Sequence, residues 1–65
     1  MRIIVNGESH DTDAGTVSAV LAELGLDGAI VATALNGEFV PKSRRPETVV
    51  AEGDHLDVLA PMQGG

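Results

Sequence analysis

Val17, Val20, Leu21 and Leu24 fall at i, i+3, i+4 and i+7, so on an α-helix their side chains line up along one face. This is the clearest periodic segment of the chain, and it constrains the rest. An isolated helix of about eight residues does not persist in water, so its stripe must be covered by a sheet. Thr16 stands at the N-cap position, where its hydroxyl can accept a hydrogen bond from a first-turn N–H; Ala19 at N3 leaves the reciprocal half of a capping box empty. Gly25 suits the left-handed position just past the helix end, with Leu26 reaching back towards Leu21. The helix is expected over about residues 16–25.

The flanking segments supply the strands. Met1 to Val5 is apolar and β-branched, and Asn6-Gly7 is the dipeptide that most readily adopts the positive φ angles of a type I′ turn, so a hairpin opens the chain. Its return strand, about Glu8 to Asp13, is polar and reads as a charged edge. Ile30 to Leu35, Asn36-Gly37 and Glu38 to Val40 repeat the pattern, closed by Pro41, which cannot donate to a ladder. Pro46-Glu47-Thr48 reads as one helical turn begun by proline. After the tight turn Glu52-Gly53-Asp54, the last strand alternates: Leu56, Val58 and Ala60 face one way, and His55, Asp57 and Leu59 the other.

The order strand, strand, helix, strand, strand, strand implies an α+β fold, a mixed sheet of about five strands with one helix packed on a single face. The topology is that of a β-grasp. Its first and last strands lie parallel at the centre, joined through the helix crossover, so the chain end leaves from a central strand. Ile3, Val5, Val17, Val20, Leu21, Leu24, Leu56 and Val58 are the expected core.

With 65 residues there is room for one small domain, which buries only about 60% of its unfolded surface and is too shallow for a deep catalytic cleft. Leu, Ile, Val and Phe number 18 of these residues, enough to fold. The net charge of −6 repels phosphate backbones, and four basic residues are too few for a nucleic-acid footprint, so partners should present basic surfaces. No long apolar run and no basic-then-apolar leader occurs, which points to a cytoplasmic protein without membrane insertion. There is no cysteine, hence no disulfide, thiolate metal site or thiol nucleophile.

Residues 1–60 form the expected domain, and 61–65 a flexible tail. Ala60-Pro61-Met62-Gln63-Gly64-Gly65 carries no charge and ends in two residues without side chains. Such a tail can thread a narrow tunnel and place a terminal carboxylate against another protein's chemistry. Its five residues after Ala60 span roughly 17 Å when extended. A frayed end or a cloning remnant are the other readings of the tail taken alone.

His10 lies near Asp11 and Asp13, and His55 beside Asp54 and Asp57, but neither set has a recognisable ligand spacing, and Ser18 and Ser43 have no partners for a hydrolytic triad. No metal site and no catalytic residue is assigned. Lys42, Arg44 and Arg45 read as a solvated loop, the alternative being contact with an acidic or nucleotide-bearing partner. Ile4 and Leu59 fall on the sheet face away from the helix beside Arg2, His55 and Asp57; they either form an exposed patch for a partner or rest under a loop.

The segments Asn36-Gly37-Glu38-Phe39-Val40-Pro41, Glu52-Gly53-Asp54 and Ala60 to Gly65 together resemble the sulfur carrier family of thiamine biosynthesis, the ThiS family. The Gly-Gly ending alone is shared with ubiquitin-like modifiers and with the small subunit of molybdopterin synthase; the combination is more specific. The resemblance implies a ubiquitin-like β-grasp that is a carrier and co-substrate rather than an enzyme. It implies that the Gly65 carboxylate is adenylated by a ThiF-like enzyme using ATP and magnesium, and converted to a thiocarboxylate with sulfur from a donor such as a cysteine desulfurase. The sulfur then passes to a ThiG-like thiazole synthase. Gly64, Gln63 and Met62 would enter the partner with Gly65, Ile4 and Leu59 would dock it, and no cofactor would be bound by the carrier itself. A carrier for molybdopterin or cysteine synthesis, a protein modifier and a plain β-grasp interaction domain are the competing readings.

Overall fold

The computed structural model of the protein describes residues 1–60. The readings placed on Met62, Gln63, Gly64 and Gly65, and the tail boundary with them, lie outside the described residues.

Five strands and one helix follow in the expected order: β1 (Arg2–Val5), β2 (Glu8–Asp11), α1 (Val17–Glu23), β3 (Ala32–Leu35), β4 (Glu38–Val40) and β5 (His55–Leu59), with a 3-10 turn at Lys42–Arg44. The sheet order is β2-β1-β5-β3-β4. β1 and β5 run parallel at its centre with Ile4 opposite His55, and the other pairs are antiparallel. Both Asn-Gly steps make the expected turns, with φ of +50° at Asn6 and +51° at Asn36.

Thr16 caps α1 through a 3.2 Å bond from the Ala19 N–H. Two further first-turn donors are met from outside the helix: the Val17 and Ser18 N–H groups donate to the carbonyls of Thr48 (2.9 Å) and Arg45 (3.2 Å). At the other end, Gly25 at φ +75° donates to the Ala22 carbonyl and Leu26 to that of Leu21, which is a complete Schellman motif.

The core lies between α1 and one sheet face: Ile3, Val17, Val20, Leu21, Val50, Leu56 and Val58 are buried, and Val5 and Leu24 pack half-buried against them. Val50 was not among the expected core residues. It enters because the 48–50 segment lies across the helix start, held by the Thr16–Val49 bridge and by the Val50 N–H donating to the Gly15 carbonyl at 3.0 Å.

Three local expectations are corrected. The third strand begins at Ala32 rather than Ile30, since the chain still turns at Ala29, whose N–H bonds to the Leu26 carbonyl, and Ile30 is left 83% exposed. The helical turn expected at Pro46 starts earlier, behind Pro41 at Lys42–Arg44. Arg45 does not belong to a solvated loop. It is 7% exposed, and its guanidinium donates to Thr33 Oγ1 (3.0 Å) and to the Val31 carbonyl, while Thr33 Oγ1 donates onward to the Val40 carbonyl (2.8 Å). A buried cation is tolerable when its donors are met in this way.

Candidate functional site

β5 carries the chain towards its tail from the middle of the sheet, with pairing on both flanks. Its alternation is as expected: Leu56 and Val58 are buried under α1, while His55, Asp57 and Leu59 are exposed on the opposite face. Main-chain pairing holds the beginning of β5 on both sides, at His55 and Leu56 against β1, while Asp57 to Leu59 pair with β3.

The outer face does not hold the patch that Ile4 and Leu59 were expected to form together. Both residues are on it, but Ile4 lies opposite His55, and Leu59 is four residues further along β5, about 13 Å at the usual strand rise. Ile4 is also half-buried. Leu59 instead lies opposite Ala32 and borders a shallow depression of about 310 Å³ with Ile30, Val31 and Ala60. Two residues further along β3, Ala34 pairs with Phe39, which is 70% exposed. The apolar surface is therefore Leu59, Ile30 and Phe39 standing around the small residues Ala32 and Ala34. Alternation behind the second Asn-Gly turn, which sends Val40 inward, was the sequence signal for Phe39. For Ile30 the same alternation, carried back from Ala34 and Ala32, was the signal, although it lies ahead of β3.

Ionic groups elsewhere are engaged in holding turns and edges. Arg2 pairs with Asp11 at 3.1 Å across β1 and β2, and this guanidinium holds the Asp11 carboxyl below its ordinary value. Glu23, at the end of α1, accepts from the Thr12 hydroxyl at 2.6 Å and lies 3.3 Å from His10 Nε2. The Thr12 bond, followed by His10, holds the Glu23 carboxyl below its usual range. Asp54 accepts from the Ala51 N–H and from the Asn36 side chain, closing the turn before β5. Among the described residues no three His, Asp or Glu side chains come together as a metal site, and no helix is long and apolar enough to cross a membrane.

An open crevice of about 490 Å³ lies on the helix side, with Val5, Leu24, Leu26, Val31 and Val58 as its apolar wall and Asn6, Glu8, Ser9 and His10 at the rim. No array of convergent donors lines it, so its chemistry does not suit a nucleotide or phosphate.

A model of the ThiS family matches residues 2–65. The chain is 42% identical over 66 residues to a thiazole synthase of Paramagnetospirillum magneticum, a match that takes in all of this chain and 20% of that protein. It is 36% identical over 61 residues to the sulfur carrier protein ThiS of Thermus thermophilus, covering 94% of this chain and 95% of that one. Among solved structures, the crystal structure of the thiamine biosynthesis protein ThiS from Geobacter metallireducens superposes over the whole of both chains with a TM-score of 0.85 at 32% identity. The solution structure of a thiamine biosynthesis protein from the same organism gives 0.78, also at 32% identity, over all of this chain and 88% of that one.

Proposed function

Because the chain belongs to the ThiS family, we propose that it is a sulfur carrier of thiamine biosynthesis that bears its cargo on the carboxylate of Gly65. The observation that carries the reading is the conjunction of that membership with a Gly64-Gly65 ending in a sequence whose last strand is central in the sheet. With no cysteine in the chain, no side chain can hold the sulfur as a persulfide.

The chemistry follows from the weakness of a carboxylate as an electrophile. In a ThiF-like partner supplying ATP and magnesium, a Gly65 carboxylate oxygen attacks the α-phosphorus and pyrophosphate leaves. A protein persulfide, such as a cysteine desulfurase provides, then attacks the acyl carbon and AMP leaves. A thiol reductant cleaves the resulting S–S bond, and the thiocarboxylate remains on Gly65. The carrier itself provides reach and a bare end: five residues follow Ala60 in the sequence, and in this reading Gly64, Gln63 and Met62 enter the partner with Gly65. A thiazole synthase is the proposed recipient. In support, a domain 42% identical to this chain makes up a fifth of a protein that bears that name.

The surface around Leu59, Ile30 and Phe39 is the proposed docking face. Ile4, further along the sheet, is at most its margin. An overall charge of −6 calls for a partner with a basic rim.

The test is reconstitution with a ThiF-like enzyme, a sulfur donor and ATP, followed by intact-mass analysis for the replacement of one oxygen by sulfur. Deleting Gly65 should abolish ATP–pyrophosphate exchange while the circular dichroism melt stays that of the wild type. A deletion variant that is still adenylated at the wild-type rate would falsify the carrier reading.

A further inference from the structure

Both Asn-Gly turns do more than reverse the chain, because each aims its asparagine side chain at β5. Main-chain pairing of β1 with β5 reaches the Asn6 N–H, which donates to the Leu56 carbonyl at 3.0 Å; the chain then turns away at Asn6, φ +50°. The next pair of groups along that edge of β5 belongs to Val58, which is 8% exposed and has lost its main-chain partner. The Asn6 carboxamide takes that place. Its Oδ1 accepts from the Val58 N–H at 2.7 Å, and its Nδ2 donates to the Val58 carbonyl at 3.1 Å. A carboxamide carries the donor and acceptor of a peptide unit, so β1 is in effect prolonged by a side chain.

We propose that Asn6 is a positioning residue for the tail: by holding both main-chain groups of Val58, two residues before Ala60, it sets the direction in which the chain leaves the sheet. The proposal rests on the carrier reading for its functional meaning. Asn36 provides the contrast. Its Oδ1 accepts from the His55 N–H at 2.9 Å and its Nδ2 donates to Asp54 Oδ1 at 3.1 Å, so it pins the opposite end of β5, remote from the tail.

The two roles of each asparagine can be separated. Asn6→Gly and Asn36→Gly keep a residue that accepts positive φ, and so keep the turns while removing only the carboxamides. Asn6→Asp retains the acceptor for the Val58 N–H but sets a carboxylate oxygen against the Val58 carbonyl. In the full chain, Asn6→Gly should speed amide exchange at Val58 about tenfold, as expected for one lost hydrogen bond. With the activating enzyme, Asn6→Gly and Asn6→Asp should both lower kcat for ATP–pyrophosphate exchange at an unchanged KM for the carrier, since the docking face is untouched. Asn36→Gly should speed exchange at His55 and keep the wild-type kcat.

Unchanged Val58 exchange in Asn6→Gly overturns the proposal. So does faster Val58 exchange with a wild-type kcat, or an equal fall in kcat for Asn36→Gly. If the wild type itself supports no pyrophosphate exchange, the carrier reading fails separately. Asn6 is then decided by the backbone order parameters of Leu59 and Ala60, which Asn6→Gly must lower and Asn36→Gly must leave alone.

Discussion

Leu56 and Leu59 are the same residue type on the same strand, yet Leu56 is fully buried and Leu59 is 66% exposed. The face of the sheet that holds Leu56 also holds Ile3, Val58 and Thr33 under α1; the other holds Arg2, Asp57, Leu59 and the Ala34–Phe39 pair. In so small a domain one strand cannot be assigned wholly to stability or wholly to recognition. Alternation divides the work instead, so substitutions at neighbouring positions of β5 should fail in different ways.

The largest expected effect lies on the inner face. Leu21→Ala should cost roughly 2 to 5 kcal/mol, measured by chemical denaturation, because it leaves a cavity in the buried cluster that also holds Ile3 and Leu56. No loss there would erase the distinction between the faces. Arg45→Ala tests whether the inner side depends on polar contacts as well. It frees Thr33 Oγ1 and the Val31 carbonyl of their donor, and a loss of about 1 to 3 kcal/mol is expected. A wild-type melting curve would return Arg45 to the surface group.

On the outer face the expectation reverses. Leu59→Lys should change stability by no more than about 0.5 kcal/mol, as for surface substitutions generally, while weakening association with the activating enzyme. Binding assays beside a thermal melt distinguish the outcomes; lost stability with unchanged affinity would move Leu59 inward.

The smallest effect sharpens the boundary where β2 meets the helix end. Glu23 has a lowered pKa in the folded state, so the unfolded chain binds that proton more tightly. Its contribution is complete above the ordinary glutamate range and disappears as pH falls through the folded value. Glu23→Gln should therefore lower stability slightly at neutral pH and converge with the wild type once pH falls below the folded value, which flattens the acid limb. An acid limb of unchanged slope would show that the Thr12 and His10 contacts are inconsequential.

The elements that were legible in the sequence are those whose signals are local. The α1 stripe, the Thr16 cap, the Gly25 ending and both Asn-Gly turns each depend on residues within a few positions of one another. Val50 and Arg45 were not legible, because both are placed by the chain lying across the helix start, a contact between segments about thirty residues apart. The outer-face patch failed for a related reason. Alternation tells which face a residue is on, but only the parallel register of β1 against β5 shows that Ile4 and Leu59 lie at different heights.

That parallel central pair has a consequence for how the molecule is made. β1 is synthesised first but cannot take its neighbour until β5 has been synthesised and has cleared the ribosome, and parallel pairing over such a separation is slow to nucleate. The β1–β2 hairpin is local and can pair early, but α1 lacks the sheet that must cover its stripe, and the slot between β1 and β3 stays open until the last strand arrives. A nascent chain therefore has no finished sheet on which to mount its final residues, and a messenger cut short before His55 would yield a product that exposes its core.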